Sequence, residues 1–274
     1  MSVVVRCWYL GRVGYSRALQ LQESLVHINR RRENKCPAHT ILMLEHDPVY
    51  TVGVRTSLYA HDQEKLQKTG AQFVKTNRGG LITYHGPGQL TVYPIISLRG
   101  AEVLGKGIRW FVSALEQSGF DLCRGILGDR IVKGSILFPE SVGATGVWFN
   151  KHNKILSIGI RRAGDVIYHG VGLNCTNEPL KWFDNIVPCG LPECKMTSLQ
   201  SIAGKEFTPA EVAPQFSERL FANLFNPKCD LEFTYSDFLS EDKSLPWEKV
   251  VQFVLDDADF RTKKLPRQEY EENR

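Results

Sequence analysis

Apolar positions along this chain change their period several times, and each change marks an element. Residues 3–10 (Val-Val-Val-Arg-Cys-Trp-Tyr-Leu) predict a first strand. Over 15–31 the apolar residues Ala18, Leu19, Leu21, Leu25, Val26 and Ile28 recur at helical spacing and leave most of the charge on one side. Thr40 to Glu45 is a short apolar strand, ended by the turn signal His46-Asp47-Pro48. His61 to Thr69 predicts a short helix with Gly70 as its stop, and Gln72 to Thr76 another strand. Leu90 to Ile96 reads as a strand, and Gly107 to Ser118 as a helix ended by Gly119. The strongest β pattern lies at 143–176. There Gly146–Asn150, Lys154–Arg161 and Val166–Cys175 are separated by the turn-like Lys151-His152-Asn153 and Ala163-Gly164-Asp165, which predicts an antiparallel meander. Helical spacing returns over 209–225, and the charged last dozen residues are expected to fray.

Helices and strands are interleaved, yet several neighbouring strands are hairpins. That combination predicts an α/β (α+β) fold, with a mixed, largely antiparallel sheet and helices on one side, rather than a doubly wound parallel sheet. No internal repeat or low-complexity linker divides the chain.

Composition adds little until the cysteines are considered. Hydrophobic residues at 42% and charged residues at 23% describe an ordinary globular chain. A formal charge of +4 is too small to argue for nucleic acid, although it suits an acidic protein partner. No apolar run approaches the roughly 18 residues that a membrane span needs. The seven cysteines are odd in number and scattered, so no disulfide framework is expected and the compartment reads as reducing. Cys189 and Cys194 have no second close pair, so a metal site is not expected. Residues 1–32 are rich in arginine with Glu23 as the sole acid, a composition that suits a transit peptide. The strand at Val3–Trp8 and the helix from Tyr15 assign the segment to the fold instead.

Four stretches could carry chemistry. Ile186-Val187-Pro188-Cys189-Gly190-Leu191-Pro192 holds a thiol between a residue with fixed φ and one that lets a ligand approach the backbone. The bland alternative is a structural cysteine in a loop. A thiol with a pKa of about 8.5 is only slightly ionised at neutral pH, so a nucleophilic Cys189 needs a partner. Lys154, opening Asn153-Lys154-Ile155-Leu156-Ser157-Ile158-Gly159, could favour the thiolate as an ammonium or shuttle its proton as an amine. It could equally be an exposed strand lysine. Arg78 to Leu90 (Arg-Gly-Gly-Leu-Ile-Thr-Tyr-His-Gly-Pro-Gly-Gln-Leu) packs glycines around Tyr84 and His85, as a ligand-facing loop or a tight hairpin would. It matches neither a Walker A loop nor a dinucleotide fingerprint. His169-Gly170-Val171-Gly172 is a second cluster of histidine and glycine.

Taken together and in order, these four blocks resemble the lipoyl(octanoyl) transferase family, over roughly residues 1–200. The resemblance implies a fold of the biotin/lipoate protein ligase type. It implies Cys189 as acyl-thioester nucleophile and Lys154 as its acid/base partner. It implies an acyl site lined by Arg78, Gly79, Gly80, Leu81, Ile82, Thr83, Tyr84, His85, Ser157, Ile158, Gly159, Gly170, Val171 and Gly172. Residues 1–204 would then be the catalytic domain, and 205–274 a helical extension and charged tail packed on it. The implied reaction carries octanoyl from octanoyl-acyl carrier protein to lipoyl domains of 2-oxo acid dehydrogenases and the glycine cleavage H protein. It requires no ATP, metal or other cofactor, no nucleic acid and no membrane span. This sequence has Val187 where the family often has Asn, Gly172 where Ala is frequent, and residues 124–141 as an apparent insertion. The insertion, the long C-terminal extension and the Ile-Val-Pro-Cys-Gly form of the loop lean toward a eukaryotic, mitochondrial member, against a cytoplasmic bacterial one. Two other readings stand beside it. One is an ATP-dependent lipoate or biotin protein ligase, which would not need Cys189. The other is a non-catalytic scaffold, which would form no covalent adduct.

Overall fold

The structure is a computed structural model that describes residues 4–31, 37–54, 59, 62–100, 103, 105–137, 144–190, 194–225, 230–235 and 247–263. The chain opens with β1 (Val4–Val13) and α1 (Tyr15–Arg30). Then come β2 (Thr40–His46), β3 (Val49–Val52), α2 (Gln63–Gln67), β4 (Gln72–Lys75), β5 (Thr83–His85), β6 (Gln89–Ser97) and α3 (Ile108–Leu127). The meander follows β7 (Val132–Lys133) and α4 (Gly134–Leu137), as β8 (Gly146–Trp148), β9 (Asn153–Ala163) and β10 (Val166–Asn174). α5 (Leu180–Phe183), β11 (Lys195–Met196), α6 (Leu199–Ala203), α7 (Pro209–Leu224), β12 (Asp230–Tyr235) and α8 (Trp247–Lys263) complete it.

Among the described residues the main sheet runs β12-β1-β2-β6-β10-β9-β8-β7, with β11 paired to β9. β12 and β2 flank β1 in parallel, β11 lies parallel to β9, and the remaining pairs are antiparallel, so the mixed, largely antiparallel sheet expected from the hairpins is present. A second small sheet, β4-β3-β5, stands beside it.

Helices cover both faces, not one. Cys7, Ile41, Met43, Val92 and Val171 pack against α3 and α7 on one side. Trp8, Leu42, Leu44, Tyr93 and Ile95 pack against α1 and α8 on the other. The reason lies in β2 and β6, which are buried at nearly every position; one-sided strands would alternate. Gly119 does not end α3, which continues to Leu127 and stops at Gly128 with φ +77°. A Cβ at Gly119 would lie 2.6 Å from Leu156 Cδ1 of β9, so the glycine lets helix and sheet approach closely. The C-terminal part is not all helical: β12 extends the sheet beyond β1, with Arg6 paired to Glu232 and to Asp257. The fraying expected for the last dozen residues falls almost wholly outside the described residues, as does 138–141 of the apparent insertion.

The ladder between β10 and β6 is interrupted. The two strands pair at Val166–Ile167 and again at Val171–Asn174. Between them His169 has φ +59°, and the facing stretch of β6 contains Pro94, which has no N–H to offer a ladder. The His169 amide donates instead to the buried Gln22 Oε1 of α1, at 3.1 Å.

Candidate active site

A cavity of about 210 Å³ opens over the β9–β10 hairpin. Its floor follows from register. Gly170 pairs with Gly159, and Gly172 with Ser157. Directly opposite residues in an antiparallel pair share a face, so Ser157, Gly159, Gly170 and Gly172 form one patch almost without side chains. The alternating Ile158 and Val171 belong to the core beneath α3 and also line the cavity, alongside Val112 of that helix. An apolar chain can lie flat on such a patch.

The roof is the segment from Arg78 to Thr83. Gly79 N donates to Ile160 O at 2.8 Å, which ties it down onto β9. The Arg78 guanidinium is buried and held by Thr51: Nη2 donates to Thr51 O at 2.7 Å and to Oγ1 at 2.8 Å. Leu81, Ile82 and Thr83 complete the roof, with Val112 of α3 and Thr145 at the side.

The inner end holds neutral polar side chains beside the buried Arg78 cation. His46 donates from Nδ1 to Val13 O at 2.8 Å, and its Nε2 accepts from the Tyr93 hydroxyl at 2.7 Å. Gln89 Nε2 donates to Tyr84 O and to Asn174 Oδ1, so its Oε1 accepts from His85 Nδ1 at 2.7 Å and leaves His85 Nε2 as a bare lone pair. Asn77 Nδ2 donates to Tyr168, so Asn77 Oδ1 accepts from His169 Nε2 at 3.1 Å. Each tautomer is thereby assigned from its partners. Burial pushes all three imidazoles down, to about 4 for His46 and about 3 for His169; His46 and Arg78 push His85 down further. Burial raises Tyr15, which stacks on His85, to about 12.

Lys154 and the backbone of the Pro188–Gly190 turn adjoin residues that line the cavity. The Lys154 side chain is buried, and its Cε lies 2.8 Å from where a Cβ on Gly146 would stand, one residue from the lining Thr145. Pro188–Gly190 forms a 3-10 turn, with Gly190 at φ +69°. A Cβ on Gly190 would lie 2.5 Å from Leu81 Cδ1, so the turn's backbone rests on the roof. Beyond it, Met196 of β11 pairs with Lys154 itself. The inner end is linked to the backbone of Lys154: Asn174 Nδ2 donates to Thr197 O, and Thr197 N donates to Lys154 O.

Residues 14–221 match the family model described as the lipoyl protein ligase A/B catalytic domain. The chain belongs to that family. A Danio rerio protein named octanoyl-[acyl-carrier-protein]:protein N-octanoyltransferase LIPT2, mitochondrial, is 40% identical over 240 residues, covering 87% of this chain and 98% of its own. The Xenopus tropicalis protein of the same name is 42% identical over 221 residues, covering 80% and 87%. Among solved structures, lipoate-protein ligase A bound with ATP superposes with a TM-score of 0.66 at 14% identity, covering 93% of this chain and 95% of the other, which shows a shared fold.

In this lipoyl protein ligase A/B family member, the cavity gathers every residue expected to line the acyl site except Tyr84. Strand alternation explains the exception. Thr83 and His85 face the cavity, whereas Tyr84 between them stacks on Trp182 at 5.1 Å within a separate core of Tyr50 and Phe183. Lys154 is no exposed strand lysine, since it is 1% exposed. The sequence reading missed Tyr15, Tyr93, Val112, Thr145, Ile160 and His169 of the lining, and the Gln89–Asn174 relay. The Gln-Leu and Leu-Asn ends of the two glycine blocks were the available signal for that relay.

Proposed function

We propose that the chain is an acyltransferase that moves an octanoyl group from octanoyl-acyl carrier protein to a lysine of a lipoyl domain, with Cys189 as the covalent carrier. The Cys189 thiolate attacks the donor thioester carbonyl and forms a new thioester. The departing carrier thiolate takes a proton from the Lys154 ammonium. The acceptor lysine, as a free amine, then attacks the acyl-Cys189 carbonyl and gives its proton to the Lys154 amine. An amide forms, the Cys189 thiolate leaves, and the starting charges are restored. Exchange of one thioester for another is nearly balanced, and amide formation runs downhill, so no ATP is consumed.

The observation that supports this reading is a cavity floored by bare backbone, whose lining Leu81 lies against Gly190 and whose lining Thr145 is the chain neighbour of Gly146, against which the Lys154 stem packs. The names of the similar proteins support octanoyl as the group and the mitochondrion as the location. A sequence pI near 8.6 suits acidic protein substrates, among them the lipoyl domains of 2-oxo acid dehydrogenases and the glycine cleavage H protein. Incubation with octanoyl carrier thioester without ATP, followed by intact-mass measurement, tests it. One octanoyl addition is expected, lost in Cys189→Ala and kept in Cys194→Ala. Strict dependence on ATP, or a label that persists in Cys189→Ala, overturns the reading.

A further inference from the structure

The cavity has a near end and a far end, and strand register gives the distance between them. Lys154 marks the near end. Its stem packs between the ring of Trp148, whose centroid lies 5.2 Å from Nζ, and Gly146, whose amide donates to the buried Glu116 of α3 at 2.8 Å. Gly146 pairs with Ser157 across β8–β9, and Ser157 pairs with Gly172 across β9–β10. Further along the hairpin Gly159 faces Gly170, and beyond them Ile160 pairs with His169. From Ser157 to Ile160 the strand advances about 10 Å. A saturated carbon chain with tetrahedral angles advances about 1.25 Å per bond, so an extended octanoyl group reaches about 9 Å. A chain that starts beside Ser157 thus brings its terminal methyl to the level of His169.

That far end is polar in a particular way. His169 is 1% exposed and Tyr15 is 2% exposed, and both line the cavity. His169 Nε2 donates to Asn77 Oδ1, so Nδ1 keeps a bare lone pair, and it meets no partner among the described residues. The Tyr15 hydroxyl lies near Thr76, whose own hydroxyl donates to Val52 O at 3.1 Å, and it makes no hydrogen bond of ordinary geometry among the described residues. Thr76 precedes Asn77, the partner of His169, which puts the Tyr15 hydroxyl at the far end too. The helix that begins at Tyr15 also supplies Gln22, which accepts from the His169 amide at 3.1 Å and holds the two side chains in one relation. The Arg78 guanidinium beside them is already engaged by Thr51 and by Gly79 O. One buried donor and one buried acceptor therefore stand where the tail ends.

We propose that Tyr15 and His169 are specificity-determining residues: they form a polar end wall that stops a hydrocarbon tail at about eight carbons and admits a tail that ends in a hydroxyl. This rests on the cavity being the acyl site of the transferase described above. A methyl that reaches only the level of His169 leaves both polar atoms open to a water. A decanoyl tail takes that place and buries a donor and an acceptor against hydrocarbon, at a loss of about tenfold in affinity for each. A terminal hydroxyl instead accepts from the Tyr15 O–H and donates to His169 Nδ1, which satisfies both.

The test is a competition. Wild type and Tyr15→Phe, which removes only the hydroxyl, receive an equimolar mixture of octanoyl, decanoyl, ω-hydroxyoctanoyl and ω-fluorooctanoyl carrier thioesters with a lipoyl domain and no ATP. The intact mass of the acceptor reads the product ratios, which are the ratios of kcat/KM. In wild type, octanoyl is expected to lead decanoyl by at least about tenfold, and ω-hydroxyoctanoyl to lie within about threefold of octanoyl. The fluoro chain, which offers no donor to His169, is expected to lag the hydroxy chain about tenfold. In Tyr15→Phe, decanoyl should gain about 3- to 10-fold on octanoyl and ω-hydroxyoctanoyl should lose about tenfold. A tyrosine with a merely structural role would slow every chain alike and leave the ratios where they were. That result, or a wild type that takes decanoyl as readily as octanoyl, overturns the end wall alone. Equal transfer of the hydroxy and fluoro chains overturns the part assigned to His169. If no acyl group reaches the acceptor, the transferase reading itself fails and the end wall with it.

Discussion

Acidification should loosen the inner wall of the cavity before it affects the rest of the fold. His46 and His169 are buried as neutral imidazoles, with values of about 4 and about 3 against 6.5 for a free side chain. Each folded value lies below the free one, so the unfolded chain takes up protons first. Their contribution to stability is whole above about pH 6.5 and is lost as pH falls toward those folded values. At pH 5 the unfolded imidazoles are almost fully charged and the folded ones almost fully neutral, which costs about 2 kcal/mol for each group, or about 4 kcal/mol for the pair. That is a large part of the roughly 5–15 kcal/mol by which a domain is stable. His85 is shifted the same way and adds to it. The assay is urea denaturation, followed by tryptophan fluorescence, at steps from pH 7.5 to 5. The slope near pH 5 should correspond to uptake of about two to three protons on unfolding. His46→Asn, which keeps a donor toward Val13 O, should remove about one of them. A flat stability between pH 7 and 5, or an unchanged slope in that variant, would show that these imidazoles are not buried in neutral form.

Three further outcomes follow from the packing. Gly159→Val would thrust methyl groups into the gap beneath Gly79 O, 3.1 Å from the new Cβ, so octanoyl transfer should fall well over tenfold in kcat/KM while the circular dichroism spectrum is kept. Gly119→Leu would drive a side chain into Leu156 and cost about 1–3 kcal/mol in urea denaturation, since a well-packed core resists overfilling. Asn174→Ala would leave one Gln89 Nε2–H and Thr197 O without their Asn174 partner, costing about 1–3 kcal/mol and slowing transfer, because the relay ends on the backbone of Lys154. A variant with full stability and full turnover would show that the relay has no such role.

Much of this site was legible without coordinates because its parts are short and local. The Pro188-Cys189-Gly190 turn, the Lys154–Gly159 strand start and the two glycine-rich blocks each announce themselves within a dozen residues. The misreadings have a common origin. Gly119 looks like a helix stop until Leu156, which needs the space, is seen beside it. Tyr84 looks like its cavity-facing neighbours until strand pairing assigns β5 its two faces. Trp148 and Glu116 carried no local signal, since each matters through a partner on another element.

The sequence by itself determined the central strands of the sheet, helices α1, α3 and α7, the largely antiparallel pairing and the reactive groups available, because period, turn residues and side-chain chemistry act over a few positions along the chain. Only the tertiary structure decided which of those groups share a cavity. Register places Gly159 opposite Gly170 and clears the floor, the break at His169 recruits Gln22 from α1, and β8 brings Trp148 over Lys154. Those outcomes depend on contacts between distant segments, where shifting a strand by one residue would turn every side chain to the opposite face.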